Sequence, residues 1–118
     1  AVSETSDPLG AYHLYAFVFG NQFNDYPKVG VWNDGYYATY NMFTPNGGGF
    51  SHLGAKITSV NREKMLIGDP DAEMIEFFKE EYYSTMPADI DGEDIPVPGT
   101  PCPVMNITNS DEIEIWKR

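Results

Sequence analysis

A mainly β chain of antiparallel strands is what the sequence predicts, on three observations. Eleven Gly and nine Pro are spread over all 118 residues, so turns recur every few residues and long helices are excluded. An Asp34-Gly35 pair stands between two runs rich in β-branched and aromatic residues, the strongest short-range hairpin signal. The run Glu112-Ile113-Glu114-Ile115-Trp116 alternates polar with apolar, which is the period of a half-buried strand. At most one or two short helical turns fit this frame.

Taken in order, Asp7-Pro8-Leu9-Gly10 has the residue set of a type I turn, with Asp at i, Pro at i+1 and Gly at i+3. Tyr12 to Phe19 is apolar on both alternating faces, which predicts a strand buried between layers, closed by Gly20. Asn21 to Pro27 reads as loop. Val29 to Trp32, the turn Asn33-Asp34-Gly35, and Tyr36 to Phe43 then read as strand, turn, strand. Pro45-Asn46-Gly47-Gly48-Gly49 connects to a strand over Phe50 to Val60, with a small-residue step at Gly54-Ala55. Asn61 suits the cap of a single helical turn through Arg62 to Leu66, stopped by Gly68 and Pro70. Over Ala72 to Tyr83 two patterns compete: Met74, Ile75, Phe78 and Tyr82 have helical spacing, while Ile75 and Phe77 alternate with Glu76 and Lys79 as in a strand, and pattern alone leans towards helix. Pro87 to Pro103 is loop, with the acidic stretch Asp89-Ile90-Asp91-Gly92-Glu93-Asp94 inside it.

The length fits one β-rich segment, residues 1–118, and 42% hydrophobic residues exclude a disordered tail. No apolar run approaches the roughly 20 residues of a spanning helix, so membrane insertion is not expected. Eighteen acidic against seven basic residues give a net charge of -11. Nucleic acid is therefore not expected as a partner, since affinity for it comes from counterions released at basic patches. Anionic lipid surfaces are disfavoured in the same way. The lone Cys102 forbids an internal disulfide, and Pro101 and Pro103 deny it a helix N-terminus that would activate the thiol. Asn106-Ile107-Thr108 is a glycosylation sequon, a short pattern that carries little weight by itself.

Four stretches read together carry a resemblance: Ala1 to Gly10, Asp25 to Tyr37 (DYPKVGVWNDGYY), Asn61 to Leu66 (NREKML) and Pro87 to Gly92 (PADIDG). In that order they resemble uncharacterised β-propeller-like regions of large secreted bacterial proteins, over nearly the whole chain. The resemblance implies antiparallel sheets of propeller-blade type, a strand over Ala72 to Lys79, and a secreted or cell-surface location. It also implies a binding or adhesion role toward a glycan or protein without enzymatic chemistry. Four-stranded blades of about 40 to 50 residues make 118 residues a partial propeller of about two blades. Such a segment is expected to lean on the rest of a longer chain or to self-associate, with edges at Tyr12 to Phe19 and Glu112 to Trp116. The opening departs from the Asp-box turn of sialidase-type propellers, because Asp7 and Gly10 lie three apart instead of two.

Candidate sites are few. His13 and His52 have no zinc spacing around them. A carbohydrate-active propeller enzyme is the alternative to a binding module, and its acids would be Asp7, Asp25 and Asp34, each near a strand end and each also a good turn former. Trp32, Tyr36 and Tyr37 form an aromatic cluster at the hairpin suited to a ligand, although alternation puts Tyr36 and Tyr37 on opposite faces. Asp89, Asp91, Glu93 and Asp94 offer four carboxylates in six residues to calcium, the one cofactor the composition suggests. The spacing departs from an EF-hand, with Gly92 at loop position 4 and Thr100 at position 12.

Overall fold

The computed structural model describes residues 1–80, 82–107 and 112–117. Its elements run β1 (Val2–Ser3), β2 (Tyr12–His13), β3 (Phe23–Val31), β4 (Gly35–Asn46), β5 (Gly49–Asn61), α1 (Arg62–Leu66), β6 (Met74–Glu80), β7 (Met86–Pro87), β8 (Pro103–Ile107) and β9 (Ile113–Lys117). Among the described residues these form three antiparallel sheets: β1-β2, β3-β4-β5-β6 and β7-β8-β9. The chain is mainly β, and the one helix among the described residues spans five residues.

The central four-stranded sheet is a meander in which every strand pairs with its neighbour in sequence. Its first hairpin turns through Asn33 and Asp34, with Trp32 N–H donating to the Gly35 carbonyl at 3.0 Å. The second turns at Gly47 and Gly48, both at positive φ (54° and 100°), where a side chain would be strained. Strand β3 reaches back to Phe23, into the stretch Asn21 to Pro27 that reads as loop. A bulge between Asp25 and Lys28, with Tyr26 at φ 52°, absorbs Pro27 without ending the pairing. A second bulge falls at Gly54, the small-residue step, where φ is 146°.

Asn61 caps α1 as its sequence position predicts: its Oδ1 accepts from Lys64 N–H at 2.9 Å, a bond worth about 1 kcal/mol. Gly68 follows at φ 70° and turns the chain toward β6. The competition over Ala72 to Tyr83 resolves as a strand, Met74–Glu80, in register with Val60 back to Gly54; Glu81 lies outside the described residues. Pairing along seven residues of β5 overrides the local helical stripe.

Tyr12 to Phe19 is corrected. Only Tyr12–His13 is strand, because the partner β1 is two residues long. Residues 14–19 run on as irregular chain, with Leu14 79% and Val18 86% exposed. Apolar side chains on both faces of this stretch therefore mark a covering strap whose outer side meets solvent, not an inner strand.

Alternation along β4 and β5 gives the central sheet two covered faces. One face meets the N-terminal strap and α1: Val60, Met65 and Ala72 are buried there with Val2, Tyr15, Tyr36 and Met74 packed around them. On this face Lys56 is almost wholly buried; its Nζ lies 3.1 Å from Glu76 and 4.7 Å from the Phe19 ring centroid. The other face meets β7-β8-β9 and residues 88–102. Bonds from side chain to backbone pin that contact: Thr39 Oγ1 donates to Thr85 O (2.6 Å), Trp32 Nε1 to Thr100 O (2.7 Å) and Asn33 Nδ2 to Pro96 O (2.6 Å).

The covering is incomplete. The accessible surface is 8042 Å², against about 6,400 Å² for a compact monomer of this mass. The radius of gyration is 15.8 Å, against about 13.5 Å for a compact chain of this length.

Candidate functional site

A half-open groove of about 580 Å³ lies between the central sheet and the three-stranded sheet. Strand register builds its floor in cross-sheet rows: Tyr37 opposite Ser59 opposite Ile75, then Thr39 opposite Ile57 opposite Phe77, then Ala55 opposite Lys79. Because side chains at every second position share a face, Tyr37, Ile57, Ser59, Ile75, Phe77 and Lys79 all open into the same space. Cys102, Val104 and Trp116 form the facing wall, with Val104 paired to Trp116 across β8 and β9. Asp34 stands at the hairpin end and Phe78 at the β6 rim.

Polar chemistry gathers at the hairpin end. Tyr37 donates its hydroxyl to both carboxylate oxygens of Asp34, at 3.2 Å each. Burial pushes the Tyr37 phenol above its ordinary value, a Ser59 hydrogen bond pulls it back, and the Asp34 charge pushes it up again. Cys102 is 3% exposed, and burial pushes its thiol up to about 11, with Asp34 and Asp89 adding to the effect against a backbone bond to Ala88. A thiol held protonated in this way is not a nucleophile at neutral pH. At the other end Trp116 meets Tyr82 edge-on at 4.7 Å, and Lys79 Nζ lies 5.4 Å from the Trp116 ring centroid.

The three aromatic residues of the hairpin separate. Trp32 is 7% exposed and spends its indole N–H on Thr100. Tyr36 packs into the cluster on the strap side. Tyr37 alone lines the groove.

The three candidate acids separate too. Asp7 makes the expected turn, its Oδ1 accepting from Leu9 N–H at 2.9 Å. Asp25 lies near the start of β3 and Asp34 just beyond its end. Asp25 pairs with Asn41 and Val31 with Tyr36, five steps apart on β4 or roughly 17 Å, whereas paired carboxylates in glycoside cleavage sit about 5 to 9.5 Å apart. In the acidic loop Asp89 gives one oxygen to Val31 N–H at 2.7 Å, and Asp91, Glu93 and Asp94 are exposed. Among the described residues no three His, Cys, Asp or Glu side chains converge to hold a metal ion. Of the sequon, Asn106 is buried and Thr108 lies outside the described residues.

The histidines sit away from the groove: His13 Nδ1 is 3.6 Å from Glu4, and His52 lies between the rings of Phe43 and Tyr83. Comparison with protein-family models, curated proteins and solved structures finds no match to the chain.

Proposed function

We propose that the chain is a non-enzymatic, blade-type β module of a secreted or cell-surface bacterial protein that works by binding a glycan or protein ligand. The groove between the two larger sheets carries this reading: about 580 Å³, lined by Tyr37, Phe77, Phe78 and Trp116 with a few polar groups at its ends, the size and lining of a ligand site. Among the described residues its lining holds one carboxylate and a buried thiol, a set suited to holding a molecule in place. The sequential four-stranded meander supports the blade reading, since a propeller blade is such a sheet. The surplus of accessible surface supports company, from further blades or from copies of the chain.

The test presents the folded chain to glycan and peptide arrays, alongside a hydrolysis screen on aryl glycosides. Capture of a ligand without product is the expected result. Turnover that disappears when Asp7, Asp25 and Asp34 are all changed to Asn would replace the binding module with the carbohydrate-active enzyme.

A further inference from the structure

We propose that the groove takes an organic cation: an amine or guanidinium placed at Asp34, carried on an apolar body that lies along Ile57, Phe77 and Trp116. The inference rests on reading the chain as a binding module and narrows the ligand class of that module.

Segregation of polarity along the groove is the first argument. Asp34, Tyr37 and Ser59 occupy the hairpin end, Ile57, Phe77 and Val104 form the middle, and Trp116 lies toward the far end beside Lys79. Lys79 stands four residues beyond Ile75 on β6, about 13 Å along the strand. A cation at the hairpin end therefore keeps its distance from the groove's own ammonium.

Asp34 itself is the second. It is exposed, its side-chain partner is the neutral phenol of Tyr37, and among the described residues no Lys, Arg or His pairs with it. Asp89 adds a second negative charge from the facing loop, and both carboxylates act on Cys102 in the groove wall. The net charge of -11 extends the same field over the whole chain, drawing cations in and turning anions away.

The middle of the groove decides against a sugar. A pyranose carries hydroxyls around its whole edge, and each one desolvated against Ile57, Phe77 or Val104 would lack a partner, which costs free energy. An aliphatic or aromatic body makes no such demand.

The experiment follows the backbone amides of Tyr37, Ile57 and Cys102 by NMR while the chain is titrated with phenethylamine, 2-phenylethanol, 3-phenylpropionate and methyl β-glucopyranoside. The amine should bind about five-fold more tightly than the matched alcohol, the scale of an exposed ion pair, and the propionate and the glucoside should bind more weakly than either. Added salt should narrow the gap between amine and alcohol. D34N should close it, with folding kept because Asn-Gly is as good a hairpin turn as Asp-Gly, while E63Q, which removes an exposed charge on α1 outside the groove, should leave the gap in place. Equal binding of amine and alcohol, or a preference that survives D34N, overturns the cation assignment and leaves a groove that binds by apolar contact alone. If none of the four probes shifts these amides the inference falls as well, while array capture at another surface would keep the module reading standing.

Discussion

Gly30→Ala tests how the groove wall is held. Gly30 lies on β3 where residues 87–90 cross the sheet. A Cβ added there would overlap the carbonyl oxygen of Ala88 and press on its carbonyl carbon at 3.1 Å and on Pro87 Cβ at 3.4 Å. Contact at van der Waals distance requires this segment to retreat by about 1 Å. Two bonds cannot survive that step: Val31 N–H to Asp89 Oδ1 at 2.7 Å and Ile90 N–H to Val31 O at 3.1 Å. The first has a charged acceptor and the second is backbone to backbone, so their combined loss costs about 2 to 4 kcal/mol. Restriction of the unfolded chain by Ala returns about 0.5 to 1 kcal/mol. Urea unfolding followed by Trp fluorescence should show a midpoint lowered by on the order of 1 M. Gly49→Ala is the control, because the nearest atom to its added Cβ is Asn46 O at 3.9 Å; it should stay within about 0.5 kcal/mol of the parent. A Gly30→Ala protein as stable as the parent would show that residues 87–90 do not bear on β3 as described.

Two further outcomes follow from buried groups. Cys102 has its folded value raised from the ordinary 9.0 to about 11, so its contribution to stability is fully present below pH 9 and is lost as pH rises through about 11. The urea midpoint of the parent should fall more steeply over that range than that of C102A, and equal slopes would contradict the burial argument. Lys56 is 8% exposed in its side chain and Glu76 48%, so E76Q strands an ammonium in the sheet at a cost of about 1 to 2 kcal/mol, whereas K56M should cost less. Thermal melts giving the reverse order would mean that the pair is not what holds Lys56 in place.

Legibility in the sequence followed the range of the interactions. The hairpin at Asp34-Gly35 and the cap at Asn61 are settled within four or five residues, so dipeptides and spacing name them. Strand β6 depends on pairing with β5 some twenty residues earlier, and the local pattern, which cannot register that partner, leaned towards helix. Tyr12 to Phe19 misled because apolar alternation reports an extended chain with two apolar sides, not whether a neighbour strand covers each. The groove is the least legible feature. Ser59, Phe77, Lys79, Cys102 and Trp116 come from four separate stretches, and only the register of three strands and the docking of β8 and β9 bring them to Tyr37. Trp116 stood in a run that alternates cleanly, but nothing nearby pointed to what its ring would face.

The order in which the chain leaves the ribosome sets the last consequence. Residues 1–19 appear first, yet the surface they cover is made of Tyr36, Tyr40, Val60, Met65 and Met74, none of which has been synthesised by then. Tyr15, Phe17 and Phe19 must wait for some fifty more residues before they have a floor. The meander needs no such delay, since each of its strands closes on the one just made. Vectorial synthesis thus holds an apolar strap in reserve at the end made first, and the interval before β6 arrives is the period in which its apolar side chains are most open to aggregation.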